Sequence, residues 1–158
     1  MVVKFNDLKS QYDCMDKANL LNRMNRMYME SSYINGPDLA IFEENFAKYV
    51  GAKYAVGVSN GTDAIELAIK AIKKQGRTLY LIPNNTFIAT YLGIRQADPI
   101  GHIMTVDCDE YYQISISELR RILNHYRQCY EHVIIVVFTY YDTFVVVRVF
   151  EVFAQCIT

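Results

Sequence analysis

The chain has 158 residues, 52% of them apolar, which is enough for one domain with a buried core. A formal net charge of −1 and a pI of about 6.3 exclude the basic footprint of a nucleic-acid or anionic-membrane binder. The opening MVVKFNDLKS lacks a signal-peptide pattern, and the longest uncharged run of the apolar C-terminal segment, Val133 to Tyr141, falls far short of the ~20 residues a spanning helix needs. A cytoplasmic protein off the membrane is the expectation. The four cysteines, Cys14, Cys108, Cys129 and Cys156, are scattered without CxxC spacing and read as reduced thiols.

In chain order, a polar, Met-rich helix is predicted over Leu8 to Glu30. Gly36 then permits a tight turn, and Pro37 suits a first helical position, where a missing N–H costs nothing. Phe42, Phe46, Tyr49 and Val50 recur at helical spacing until Gly51 supplies the stop. Tyr54 to Val58 reads as a short buried strand, and Asp63 to Lys74 as an amphipathic helix with Ala64, Leu67, Ala68 and Ala71 inward. Strands at Thr78–Ile82, Ile100–Val106 and Val133–Phe138 then alternate with helices at Thr86–Arg95 and Ser117–Gln128. Such alternation predicts a layered α/β fold with parallel pairing.

The most chemical segment is Ala55-Val56-Gly57-Val58-Ser59-Asn60-Gly61-Thr62-Asp63. A strand ends, small polar residues turn the chain, and a helix begins. The unpaired N–H groups of that first turn sit at the positive end of the helix dipole. With the Ser59 and Thr62 hydroxyls they would cup a phosphate group, and Gly61 would let its oxygens approach the backbone. An ordinary N-cap uses the same residue types, and on spacing alone that reading is the commoner one. No Gly-Lys-Ser/Thr follows, so this is not a P-loop.

Phe5-Asn6-Asp7-Leu8-Lys9-Ser10-Gln11-Tyr12, Ile34-Asn35-Gly36-Pro37 and Phe46-Ala47-Lys48-Tyr49-Val50-Gly51 resemble the opening of the DegT/DnrJ/EryC1/StrS family of PLP-dependent nucleotide-sugar aminotransferases. The best match is Ala55 through Ala64, and it continues through Ile82-Pro83-Asn84-Asn85-Thr86-Phe87-Ile88-Ala89-Thr90 and Val106-Asp107-Cys108-Asp109. The similarity runs in order from about Lys4 to Val137.

The resemblance implies the large domain of the type I fold of PLP enzymes, a three-layer α/β arrangement on a mostly parallel sheet, here truncated. Residues 1–137 would be its N-terminal part and residues 138–158 a divergent apolar tail. It implies that Ser59, Asn60, Gly61 and Thr62 hold the phosphate of pyridoxal 5′-phosphate and that Phe87 stacks on its ring; taken alone, Phe87 reads as core. It further implies amino transfer, usually from glutamate, to a nucleotide-linked keto-sugar by a homodimer with active sites at the subunit interface. PLP also needs a lysine to hold it and move protons, and a carboxylate to keep its pyridine nitrogen protonated. The family places both beyond the matched stretch, and this sequence has no lysine after Lys74. Lys70, Lys73 and Lys74 are expected on the solvated face of their helix. No catalytic residue is therefore assigned, and the chain alone is expected to be inactive.

After Val137 the resemblance stops. A reading-frame change or a diverged strand pair would each explain the Val-, Phe- and Tyr-rich remainder, and composition favours the first. Because the fold's first strand pairs with strands formed late, Tyr54–Val58 is expected to lose its neighbours while the other three still pair; poor stability or self-association would follow. Three functional readings stand: a remnant of an enzyme, one half of a split enzyme, and a module that pairs with a full-length relative. His125, Cys129 and His132 share a spacing that would suit a metal, but no fourth ligand is evident. Asp107 and Asp109 read as strand-end loop residues.

Overall fold

A computed structural model describes the backbone of residues 6–141 and 144–152 and the side chains of residues 6–137. Cys156 and the end of the apolar tail lie outside the described residues. Two compact units follow one another along the chain, residues 1–57 and 58–158.

The first unit holds α1 (Leu8–Asp13), α2 (Lys17–Met29) and α3 (Pro37–Val50). The single helix expected over residues 8–30 is broken because Asp16 starts a new one. Its carboxylate accepts the Asn19 N–H at 3.1 Å, satisfying a donor that a continuous helix would have paired with its own backbone. Asp7 caps α1 in the same way through the Ser10 N–H. Proline begins α3 as expected, and Gly51 ends it in the left-handed region at φ 69°, its N–H returning to Lys48. The Asp38 carboxylate accepts from Arg23 and Arg26 and so ties α2 to α3. Among the described residues of this unit only Ala47 is buried.

Residues 54–58 are not a strand. Tyr54 and Val56 are 74% and 78% exposed, where the sequence reading had them buried. A strand exists only through a ladder partner, and among the described residues this segment has none. Gly57 instead donates its N–H to the Glu43 carboxylate at 2.8 Å.

The second unit contains α4 (Gly61–Ile72), β1 (Thr78–Pro83), α5 (Ile88–Ala97), β2 (His102–Val106), α6 (Ile116–Tyr126), a 3-10 turn at Arg127–Cys129, β3 (His132–Tyr141) and β4 (Phe144–Val152). Strand order is β2-β1-β3-β4. The first three run parallel, with Leu79 opposite both His102 and Val133, and β4 pairs antiparallel with β3. All six residues of β1 are buried, which explains its near-continuous apolar run: a central parallel strand is covered on both faces.

One face of the sheet, with Tyr80, Ile82, Ile134 and Val136, packs on Ile65 and Ile69 of α4 and Ile94 of α5. The other face, with Leu79, Leu81, Val133 and Ile135, packs on Ile122 and Leu123 of α6. The result is the expected three-layer α/β arrangement. The inward face of α4 differs from the one expected. Ile65 and Ile69 are buried, whereas Ala64 and Ala71 are exposed, Leu67 is 51% exposed and Ala68 is half-buried. Both stripes have helical spacing, and the sheet takes the one carrying bulkier side chains, which removes more apolar area from water.

Candidate functional site

Connectivity sets where the chemistry lies. α4 leads into β1 through residues 73–77, and α5 leaves β1 through residues 84–87, so both helices run opposite to the parallel strands. Their N-termini therefore stand together at the carboxyl ends of the strands, the end at which open α/β sheets bind ligands.

At the start of α4, Asn60 is the N-cap in extended conformation. Its side-chain oxygen accepts the Asp63 N–H at 3.0 Å, and its carbonyl accepts the Ala64 N–H at 3.2 Å. That leaves the N–H groups of Gly61 and Thr62, for which no described residue acts as acceptor. Gly61 is exposed, and a Cβ there would meet nothing within 4 Å, so the approach to these donors is open. A further residue, Asp63, joins this helix start. Asp63 accepts from the Ser59 hydroxyl and from the Asn60 amide at 3.0 Å. The Ser59 hydroxyl is thus turned onto a carboxylate of the helix's first turn. An acidic residue three places after an N-cap is the signal that could have found it.

Phe87 is the N-cap of α5 and is 74% exposed, so it is not core. The chain entering α5 is held by the Thr86 and Thr90 hydroxyls, 2.8 Å apart, with Thr90 fully buried.

The far end of α4 carries a polar cluster that spacing did not reveal. Asp98, 2% exposed, receives the Tyr80 hydroxyl at 2.9 Å and the Lys73 ammonium at 2.9 Å. Burial pushes the Asp98 carboxyl up, but the hydrogen bonds from Lys73 and Tyr80 outweigh it and hold the group below the usual carboxylate range. Burial, and then the bond to Asp98, pushes the Tyr80 hydroxyl well above the usual phenol range. Gly101 belongs to the cluster, since a Cβ there would meet the Tyr80 ring and the Asp98 carboxylate. Lys73 is consequently not on the solvated face where the sequence reading had placed it. Lys70 does stay near the surface, paired with Glu66 one turn back.

A cavity of about 320 Å³ lined by Arg77, His102, Tyr130 and Glu131 opens beside Asp98, at the amino ends of the strands and away from Gly61 and Phe87. Asp107 and Asp109 shape a loop, as expected. The Asp109 carboxylate accepts the N–H groups of Tyr111 and Gln113, and Asp107 that of Cys108. His125 stacks edge-on against Tyr126, and His132 lies 3.1 Å from the Gln75 carbonyl. Among the described residues no three His, Cys, Asp or Glu side chains are grouped to hold a metal ion, and no helix is long and apolar enough to cross a membrane.

Comparison with known proteins gives one answer. The model of the DegT/DnrJ/EryC1/StrS aminotransferase family matches residues 14–144, past Val137, where the sequence reading had ended the resemblance. The dTDP-3-amino-3,6-dideoxy-alpha-D-galactopyranose transaminase of Aneurinibacillus thermoaerophilus is 38% identical over 110 residues, which cover 70% of this chain and 30% of that enzyme. The GDP-perosamine synthase of Vibrio cholerae is 28% identical over 119 residues, covering 75% and 29%. A crystal structure of a DegT DnrJ EryC1 StrS aminotransferase from Brucella abortus superposes with a TM-score of 0.59 at 27% identity, covering 80% of this chain and 34% of that one. The chain thus spans about a third or less of the length of these relatives. With the layered sheet, the paired helix starts and the match over residues 14–144 in agreement, the chain belongs to the DegT/DnrJ/EryC1/StrS aminotransferase family.

Proposed function

We propose that this chain supplies the phosphate-binding part of a PLP-dependent aminotransferase that acts on a nucleotide-linked keto-sugar. Ser59, Asn60, Gly61 and Thr62 would surround the cofactor phosphate, and Phe87 would face its ring. The observation that carries this is the open start of α4, where two N–H donors without an acceptor and an unobstructed glycine fit a phosphate, inside a stretch that matches the family throughout. When bound, PLP withdraws electrons from the carbon bearing the transferred amino group. The chain's own part is to anchor and orient. The Gly61 and Thr62 N–H groups donate to phosphate oxygens, and the Ser59 hydroxyl turns from Asp63 to the same anion. The Phe87 ring keeps water from one face of the cofactor.

Proton transfer needs a lysine, and these 158 residues offer none after Lys74. Lys70 and Lys73 are engaged by Glu66 and Asp98. The lysine and the pyridine-nitrogen carboxylate would come from sequence outside these residues or from a second polypeptide. Under the same reading the working enzyme is a cytoplasmic homodimer.

The test is a titration of the 158-residue chain with pyridoxine 5′-phosphate, which lacks the aldehyde and cannot react with surface lysines. Saturable shifts of the Gly61 and Thr62 amide resonances are expected, and their absence overturns the phosphate assignment. Glutamate-dependent amination of a nucleotide keto-sugar by this chain alone would overturn the statement about the lysine.

A further inference from the structure

Gly93 stands in the middle of α5, where glycine costs up to about 1 kcal/mol relative to alanine, so its presence calls for a packing reason. The structure supplies one. A Cβ on Gly93 would lie 2.9 Å from Cβ and Cγ2 of Ile65 and 2.9 Å from the carbonyl oxygen of Thr62. These are the fixed part of a buried side chain and the backbone of the first turn of α4, so neither can turn aside. Any side chain at position 93 must push the two helices apart. Thr62 is one of the proposed phosphate donors, and Gly93 lies six residues beyond Phe87 on α5, about 9 Å along the axis at 1.5 Å per residue. The close contact therefore fixes the offset between the phosphate donors on one helix and the aromatic ring capping the other. Thr90, fully buried one turn before Gly93, holds the entry to α5 through Thr86 and fixes the same ring from its own side.

We infer that Gly93 and Thr90 are positioning residues that set the distance and angle between the phosphate seat at Gly61–Thr62 and the Phe87 ring. The pair acts as a ruler matched to a phosphorylated pyridine. This rests on the cofactor reading above. It distinguishes a ligand that must touch both places from one that needs only the helix start.

The experiment compares the dissociation constants of inorganic phosphate and pyridoxine 5′-phosphate for the 158-residue chain and its variants. Wild type is expected to bind pyridoxine 5′-phosphate at least tenfold more tightly than phosphate. In Gly93→Ala that preference collapses about tenfold while phosphate binding is retained. Thr90→Val, which removes the hydroxyl and adds no bulk, loses part of the preference in the same direction and decides the matter if Gly93→Ala does not fold. Ile94→Ala, which opens a cavity on the sheet side of α5, loses stability but keeps the preference. Equal loss of both ligands in Gly93→Ala and Thr90→Val, unchanged preference in both, or loss of preference in Ile94→Ala overturns the inference alone. Failure of wild type to bind either ligand overturns the cofactor reading and the inference with it.

Discussion

The two units of this chain hold apolar residues in similar proportion, about half of each, and put them to different use. In residues 58–158 the apolar side chains close over a sheet from both sides, and β1 is buried along its whole length. In residues 1–57 the described side chains bury little. Leu21, Tyr28, Ile34, Phe42 and Tyr49 are all more than half exposed, and α1 and α2 have no buried residue. The first unit keeps its helices by local means, with aspartate caps at Asp7 and Asp16, a proline start, a glycine stop and the Asp38 pairing. Caps and exposed ion pairs contribute about 1 kcal/mol or less each, whereas one well-buried isoleucine contributes several times that. Regular helices are thus a poor guide to where stability lies; coverage of their apolar faces is a better one.

That contrast can be broken by mutation. Ile134→Ala, in the middle of the sheet and 1% exposed, is expected to cost about 2–5 kcal/mol in urea unfolding. Hydrogen exchange should show the loss at β1, β3 and α4, with α2 and α3 unchanged. Parallel loss in α2 and α3 would mean that the two units unfold as one.

Asp98→Asn comes next, with a loss of about 2 kcal/mol from weakening the buried cluster with Lys73 and Tyr80. The same cluster gives the second unit a pH signature. The folded-state pKa of Asp98 lies below its unfolded value of about 3.9, so its contribution is complete above that value and is lost as pH falls through the folded pKa. Tyr80 is raised in the folded state, so its contribution is complete below about pH 10 and is lost as pH rises toward the folded pKa. Acid and alkaline melts of wild type should steepen at both ends, and Asp98→Asn should flatten the acid limb. An unchanged acid limb in the variant would remove Asp98 as its source.

The smallest effect sharpens the view of the first unit. Asp16→Ala should lower the protection of α2 by about 1 kcal/mol and leave the second unit's unfolding midpoint unmoved. A loss several times larger would show that α2 is held by packing rather than by its cap.

Much of the second unit was legible because its sequence changes period cleanly. The strands at 78–83, 102–106 and 132–141, and the helices between them, lie within a few residues of the expected positions. Residues 54–58 were misread because a β-rich stretch carries no mark of whether a neighbour will be there to pair with it. The inward face of α4 differs from the expected one because GTDAIELAIKAI contains two apolar stripes, and the bulkier one, with Ile65 and Ile69, is the one the sheet buries. At the candidate site, the helix start at Asn60 was readable from residue types. The Ser59–Asp63 contact had a readable mark in the acidic residue three places after the N-cap, whereas the tight fit at Gly93 depends on a distance between helices, which spacing does not encode.

The edge pairing of β3 with β4 has a kinetic consequence. It joins neighbours in sequence, with Tyr141 opposite Phe144, whereas the pairing of β1 with β3 joins Thr78 to His132 across an intervening helix, strand and helix. A hairpin forms in about 1–10 μs, while long loops must close before distant strands gain anything from meeting. The apolar ribbon at the C-terminal end is therefore expected to assemble first and wait for β1. In that order of events it is the template on which β1 and then β2 are expected to be laid down.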